Sequence, residues 1–327
     1  MNKIKWLFFT LLIISTMITM SANNWIGMWM GLELNMMAFI PLILNDNNKL
    51  SSEAAMIYFF IQSFSSLILF MMLITNMCKY LIYGVFAHYI LLICILIKLG
   101  AAPFHSWFPK ILSMMNWNKG FILMTWQKLA PLTMIYNLDN NMIMNFTIIC
   151  SIMLGSIGGI NQTSLRKLMG YSSINHLGWM LSINKYMNLW MIYFIIYSMM
   201  TFMICYLFNN YKCYYINQLN SLNLTSSEKI NMFMMMMSMG GLPPFIGFLP
   251  KWITIQSLMN ESDMIVIFLM IMFSLITLMY YLRIMMNMYL LSSSTIKWTY
   301  LYNNKYTSYL MMLINLMLPL FLILDII

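Results

Sequence analysis

Long uninterrupted apolar stretches dominate this sequence and restrict its fold more than any other feature. Eleven of them are long enough to be transmembrane helices, which need about 20 apolar residues each. Because these stretches are continuous rather than alternating, a β-barrel is excluded. We therefore predict an all-α polytopic membrane protein with about eleven transmembrane helices. The predicted spans are approximately residues 3–22, 25–44, 54–75, 85–109, 117–137, 141–160, 168–184, 188–209, 229–258, 264–287 and 306–326.

The composition excludes most other classes of protein. Hydrophobic residues make up 62% of the 327 residues and charged residues only 8%, whereas a soluble domain has roughly 25% charged residues. This excludes a soluble globular enzyme, a disordered chain and a nucleic-acid-binding module. Because the connections between the spans are short and polar, we predict one membrane domain over residues 1–327.

The charged residues of the loops and of the span ends predict the orientation in the membrane. With the N-terminus on the inner side, the inner segments carry twelve basic and three acidic residues, and the outer segments carry two basic and four acidic residues. Positive charge is enriched on the inner side of membrane proteins. We therefore predict an inner N-terminus and an outer C-terminus.

Two of the spans are expected to be broken. The fourth contains Pro103 and the ninth contains Pro243 and Pro244, and each proline removes a backbone donor and clashes with the preceding helical turn. As one helix, the ninth span would be roughly 45 Å long, against a hydrocarbon core of about 30 Å. The breaks are predicted near residues 98–105 and 240–251.

The spacing of the two breaks predicts an internal repeat. They lie five spans apart, which indicates one five-helix repeat at about residues 3–137, a second at about 141–287, and an additional C-terminal helix at about 306–326. An odd number of helices per repeat would invert the second repeat in the membrane. Inverted repeats with broken helices at matching positions are typical of an ion path between the two halves.

Four charged residues lie well inside the predicted spans, more than five residues from either end: Glu33, Lys98, Lys128 and Lys251. An isolated charge in hydrocarbon costs at least about 2.5–3.5 kcal/mol, so each needs an explanation. Burial disfavours a charged lysine, which makes its proton easier to release. Our hypothesis is proton transfer along these residues; the alternatives are static ion pairs or lysines that extend to the membrane interface.

Two histidines are candidate relays. His176 lies within a span and either links lysines through water or is a hydrogen-bonded core histidine. His105 follows Lys98 by seven residues, which is nominally the same helix face, but Pro103 intervenes. The three histidines and five cysteines lack metal-ligand spacing and no CxxC pair occurs, so no metal or cofactor-binding site is predicted.

Six segments form an ordered set that spans about residues 25 to 255. They are WMGLELN (29–35), KLGAAPFHSW (98–107), TWQKLAP (125–131), NQTSLRK (161–167), SSINHLGW (172–179) and GGLPPFIGFLPKW (240–252). Together they resemble the NADH-ubiquinone oxidoreductase chain 2 family, the mitochondrially encoded antiporter-like subunits of respiratory complex I, in its insect-like form.

The resemblance implies a proton-translocating membrane subunit of respiratory NADH:ubiquinone oxidoreductase, without the first three helices of bacterial relatives. Glu33 and Lys98 would form the coupling pair of the first half-channel, Lys128 would be the connecting lysine, and Lys251 would be the terminal lysine of the second half-channel. Protons would enter from the inner side and leave outward.

The resemblance also implies a location and partners. The chain would lie in the mitochondrial inner membrane, with its N-terminus in the matrix and its C-terminus in the intermembrane space. It would contact lipids and other membrane and peripheral subunits of complex I, which would hold NADH, FMN, the iron–sulfur clusters and ubiquinone.

Two other functions are compatible with the pattern of spans and buried charges. One is a stand-alone cation/proton antiporter, which would need its own substrate site. The other is a structural scaffold in which the buried charges form static ion pairs.

Overall fold

The computed structural model describes residues 2–44, 48–77, 84–138, 142–221, 225–290 and 305–319. The regular elements of these segments are helices, apart from an isolated bridge between Ser164 and Tyr215. In chain order the helices are α1 (Asn2–Ser21), α2 (Trp25–Leu44), α3 (Lys49–Met77), α4 (Gly84–Leu99), α5 (Trp107–Met114), α6 (Trp117–Met124), α7 (Trp126–Tyr136), α8 (Met142–Ile160), α9 (Leu165–Ser182), α10 (Met187–Asn210), α11 (Ile216–Ser221), α12 (Ser226–Gly240), α13 (Phe248–Asn260), α14 (Met264–Leu290) and α15 (Lys305–Asn315).

Each predicted span coincides with one helix or with two consecutive helices. Five helical segments in the described parts of the chain are long and apolar enough to cross a bilayer as single helices. They are Trp25–Leu44, Lys49–Asn76, Met142–Ile160, Met187–Asn210 and Met264–Met286. The all-helical membrane fold is therefore confirmed. The predicted last helix is covered by α15 in part, and residues 320–326 lie outside the described residues.

Both predicted breaks are present, and a glycine ends the helix in each. The fourth span divides into α4 and α5, and the ninth divides into α12 and α13. Gly100 has a φ of 68° and Gly241 a φ of 76°, the left-handed conformation that commonly follows a helix C-terminus. Pro103, Pro243 and Pro244 lie in the loops after these glycines, so the helix has already ended before the prolines are reached.

The fifth span also divides, which the hydropathy pattern did not predict. The hydropathy pattern predicts one helix over 117–137, but α6 ends at Met124 and α7 begins at Trp126. Thr125 lies between them with φ −115° and ψ −78°, and its hydroxyl donates to Phe121 O at 2.8 Å. A hydroxyl bonded to the preceding turn competes with regular helical geometry. Pro131 is accommodated inside α7 rather than ending it.

The chain forms two units, residues 1–151 and 152–327. In the first unit α2 packs against α1 and α3, α4 packs against α3, and α7 contacts α1, α2 and α4. In the second unit α13 contacts α9, α10 and α14, while α12 contacts α10, α14 and α15. Each unit contains one of the two predicted broken spans.

Candidate functional site

Two buried lysines of the first unit share a cavity. Lys98 is 5% exposed and Lys128 is 1% exposed, and both line a cavity of about 20 Å³, measured as the space open to the centre of a water molecule. A polar cavity of this size can hold a water molecule. The two lysines predicted as proton-transfer residues of this part of the chain are therefore brought to one site.

Polar side chains from three helices complete the walls of this cavity. They form hydrogen bonds with one another and with the Lys98 backbone. The Tyr58 hydroxyl donates to Gln127 Oε1 at 3.0 Å, and Gln127 Nε2 donates to Asn35 Oδ1 at 3.1 Å. Gln62 Nε2 donates to the backbone oxygen of Lys98 at 3.1 Å. All four side chains are buried. The remaining lining residues are Leu32, Leu99, Trp107, Phe108, Leu123 and Pro131.

Both lysines lie at the ends of their helices, so non-helical backbone adjoins the cavity. Lys98 lies in the last turn of α4, and Lys128 lies in the first turn of α7. The Lys128 ammonium lies 5.1 Å from the centre of the Phe108 ring, an arrangement in which the ring face attracts the cation. Pro131 has no N–H to donate to the Gln127 carbonyl four residues earlier, which leaves an additional acceptor beside Lys128.

Glu33, the predicted partner of Lys98, lies in α2 between Leu32 and Asn35, which line the cavity together with Lys98. Among the described residues, no salt bridge joins Glu33 to Lys98. The Oε1 atom of Glu33 is buried and has no hydrogen-bond partner in the part of the chain that the structure describes. One oxygen of the Glu33 carboxylate is therefore available to accept a hydrogen bond.

In the second unit, Lys251 bridges the break of the ninth span. It lies in α13, is 4% exposed, and its ammonium donates to Gly240 O at 2.7 Å. Gly240 is the last residue of α12, where backbone carbonyls lack helical partners and carry partial negative charge. The ammonium also lies 5.5 Å from the centre of the Trp179 ring.

The two candidate relay histidines have different surroundings. His176 is buried in α9, and its Nδ1 lies 2.8 Å from the Tyr193 hydroxyl. Its ring centre is 5.0 Å from that of Tyr197, and Trp179, which contacts Lys251, lies one helical turn further along α9. His105 lies in the loop between α4 and α5, partly exposed, with Nδ1 3.2 Å from Pro103 O.

No group of three or more His, Cys, Asp or Glu side chains suited to a metal ion occurs within the described segments. The cysteines described there, Cys94, Cys150, Cys205 and Cys213, are free thiols.

Sequence reasoning missed the uncharged part of the cavity wall. Single polar residues are common in apolar helices, so Asn35, Tyr58, Gln62 and Gln127 do not stand out in the sequence. The available signal was that amides buried in hydrocarbon require partners. Tyr58 and Gln62 also lie four residues apart, on one face of α3.

Comparisons with known proteins identify the family to which this chain belongs. The family described as NADH:quinone oxidoreductase/Mrp antiporter, TM, matches residues 22–277. The chain is 45% identical to NADH-ubiquinone oxidoreductase chain 2 of Anopheles gambiae over 92% of this chain and 91% of that protein. The chain belongs to the NADH-ubiquinone oxidoreductase chain 2 family. The protein of the same name from Aedes aegypti is 44% identical over 89% of this chain and 88% of its own length.

A solved structure shows a similar fold at low sequence identity. The similarity to a chain of respiratory complex I from Thermus thermophilus has a TM-score of 0.81 at 18% identity, covering 95% of this chain and 76% of that chain. This family member therefore has the helical, antiporter-like membrane fold that the resemblance implied.

Proposed function

We propose that this chain is a proton-translocating membrane subunit of respiratory NADH:ubiquinone oxidoreductase. The observation that carries the proposal is that Lys98 and Lys128, both buried, line one water-sized cavity with polar walls. Buried lysines are costly in a membrane and are retained where they serve an ion or proton path. The similarity to chain 2 proteins covers most of this chain and of its relatives, and it supports NADH:ubiquinone oxidoreductase as the complex.

The proposed path begins at Glu33 and Lys98, continues through Lys128 and ends at Lys251. Glu33 modulates the charge of Lys98, because a nearby carboxylate favours the ammonium form. Lys98 and Lys128 exchange a proton through water in their shared cavity. His176 is a candidate relay beside Lys251, and His105 is a candidate relay near the first break.

The driving reaction is proposed to occur on partner subunits. NADH, FMN, the iron–sulfur clusters and ubiquinone would be bound there, and this chain would receive an electrostatic signal from a neighbouring membrane subunit. Proton uptake would occur from the matrix side and release toward the intermembrane space. On this proposal the chain is a subunit of a redox enzyme, and the chain itself carries no redox centre.

The proposed arrangement in the mitochondrial inner membrane has eleven crossings, with the N-terminus in the matrix and the C-terminus in the intermembrane space. It consists of a repeat at about 3–137, an inverted repeat at about 141–287 and a C-terminal helix. In both broken spans the first helix ends at a glycine in the left-handed conformation, which supports the repeat. The excess of positive charge in alternate loops supports the orientation.

The test uses the assembled complex in sealed vesicles, with Lys98→Met and Lys128→Met as separate variants. Methionine removes the ionisable group and keeps an unbranched apolar side chain. We expect assembly to be retained and NADH-driven proton uptake to fall by roughly tenfold or more, which corresponds to about 1.4 kcal/mol in the barrier. Lys110→Met, at an exposed position of the same unit, is the matched control.

The alternatives give different results in the same experiment. A scaffold with static charges predicts poorer assembly but wild-type proton uptake per electron in the complex that forms. A stand-alone antiporter predicts that the chain purifies without NADH dehydrogenase activity. Either result would contradict the proposed function.

A further inference from the structure

One face of α3 is bonded to both of the segments that carry the cavity lysines. Tyr58 and Gln62 are separated by one helical turn, so their side chains project from the same side of the helix. Tyr58 bonds to the α7 segment through Gln127, and Gln62 bonds to the end of α4 through Lys98. Both are buried, at 3% and 6% exposure.

The bond made by Gln62 holds the end of α4. The Lys98 carbonyl lies in the last turn, where no later N–H of a continuing helix can reach it, because Gly100 turns the chain into the left-handed region. The Gln62 amide donates to this carbonyl at 3.1 Å. The direction in which the last turn of α4 presents the Lys98 side chain therefore depends on α3.

The bond made by Tyr58 holds the start of α7. Gln127 is directly followed by Lys128, and its amide is bonded on both sides, by the Tyr58 hydroxyl at 3.0 Å and to Asn35 at 3.1 Å. Rotation of this amide would break both bonds in an environment without bulk water. The orientation of the first turn of α7 therefore also depends on α3.

We propose that Tyr58 and Gln62 are positioning residues that set the separation of Lys98 and Lys128 for proton exchange; this rests on the proposed function. In the exchange, an Nζ–H bond breaks at the charged lysine, a bridging water passes a proton on, and an Nζ–H bond forms at the neutral lysine. Each link requires a heavy-atom distance of about 2.6–3.2 Å. Because the cavity has room for about one water, a small movement of either lysine-bearing segment breaks the relay.

Tyr58→Phe tests the first bond. The variant removes the hydroxyl but keeps the ring, whose centre lies 5.2 Å from that of Phe39 and 6.4 Å from that of Trp107. We expect NADH-driven proton uptake by the assembled complex in vesicles to fall about tenfold, since a misplacement of about 1 Å can cost up to 10²-fold in rate. Slowing in D₂O should exceed that of the unsubstituted complex, because proton transfer becomes rate-limiting.

Gln62→Met tests the second bond independently and should give the same two changes. The controls carry the same substitutions at exposed positions: Tyr136→Phe in α7 and Gln256→Met in α13. Both controls should keep wild-type proton uptake and the wild-type D₂O effect. A general loss of stability would lower the amount of complex without increasing the D₂O effect.

The outcomes separate this inference from the function on which it rests. Wild-type uptake in Tyr58→Phe and Gln62→Met, with Lys98→Met impaired, would overturn the positioning role alone. Wild-type uptake in Lys98→Met would overturn the proposed function. If neither Tyr58→Phe nor Gln62→Met assembles while both controls do, the pair is purely structural and the inference is wrong.

Discussion

At the scale of single residues, the charged positions were predictable from the sequence and their uncharged partners were not. Glu33, Lys98, Lys128 and Lys251 are conspicuous because charge is expensive in hydrocarbon. The amide and hydroxyl groups of Asn35, Tyr58, Gln62 and Gln127 cost less to bury, so their pattern carries less information. Their roles depend on which helices pack together, and a single sequence does not contain that information.

Gly241 is a residue whose identity follows from its neighbour. Its φ of 76° is strained for any residue with a Cβ atom, and an added Cβ would lie 2.7 Å from Cδ and 2.8 Å from Nζ of Lys251. The left-handed turn thus brings the chain directly against the lysine that bridges the break. A side chain at this position would strain the backbone and would also displace Lys251 from its hydrogen bond with Gly240.

We expect Gly241→Ala to destabilise the protein by roughly 1–2 kcal/mol, the cost of a left-handed conformation for an L-residue, and to lower proton uptake by displacing Lys251. The measurements are the midpoint of thermal inactivation of the solubilised complex at a fixed heating rate and proton uptake in vesicles.

The adjacent Gly240→Ala is the matched control for this prediction. Gly240 ends α12, and an added Cβ would lie 3.5 Å from Leu278 Cδ1, an ordinary contact distance. Alanine is favoured over glycine in a helix by about 0.5–1 kcal/mol, so stability should be unchanged or slightly higher. Equal effects at the two positions would contradict the role assigned to Gly241.

At the scale of helices, hydropathy predicted where the spans lie, and the prolines predicted two of the three interruptions. The third, at Thr125, carries no glycine or proline and depends on a hydroxyl that bonds to the preceding turn. Such a bond forms equally well on regular helices: Ser65, Ser172 and Ser238 also donate to the preceding turn without ending theirs. Thr125 is therefore not distinguishable from these serines by sequence alone.

Arg283 illustrates how one helix stabilises the end of another within the second unit. From α14 its guanidinium donates to the carbonyls of Ile160 and Gln162, the latter at 2.7 Å. These carbonyls lie at and just beyond the C-terminus of α8, where helical partners are lacking and a cation is favoured. The arginine thus connects α14 to the loop between α8 and α9.

We expect Arg283→Met to lower stability by about 1–3 kcal/mol, because it leaves carbonyls that were bonded to a charged donor without that partner. Arg283→Lys should give an intermediate loss, since lysine keeps the charge but not the two-pronged donor geometry. Thermal inactivation of the solubilised complex measures both. The same midpoint for all three proteins would mean that the guanidinium adds no stability.

At the scale of the whole molecule, the arrangement in the membrane is the boldest prediction that the sequence supports. Hydropathy gives the number of candidate crossings, and the charges of the loops give their direction. Lys110 and Lys185 are both exposed and are separated by the predicted fifth, sixth and seventh spans. Three crossings between them require that they face opposite sides of the bilayer.

Labelling with a membrane-impermeant maleimide tests this arrangement through Lys110→Cys and Lys185→Cys. We expect Lys110→Cys to react only in inside-out vesicles, which expose the matrix side, and Lys185→Cys only in right-side-out vesicles. The unsubstituted chain measures the background labelling of its native cysteines. Burial raises the pKa of the Cys213 thiol to about 12, so this thiol stays protonated and poorly reactive at neutral pH. Reaction of both variants from one side would exclude an odd number of crossings between them. Reaction of each from the opposite side to that expected would keep the number of crossings and reverse the orientation, which would also reverse the proposed direction of proton movement.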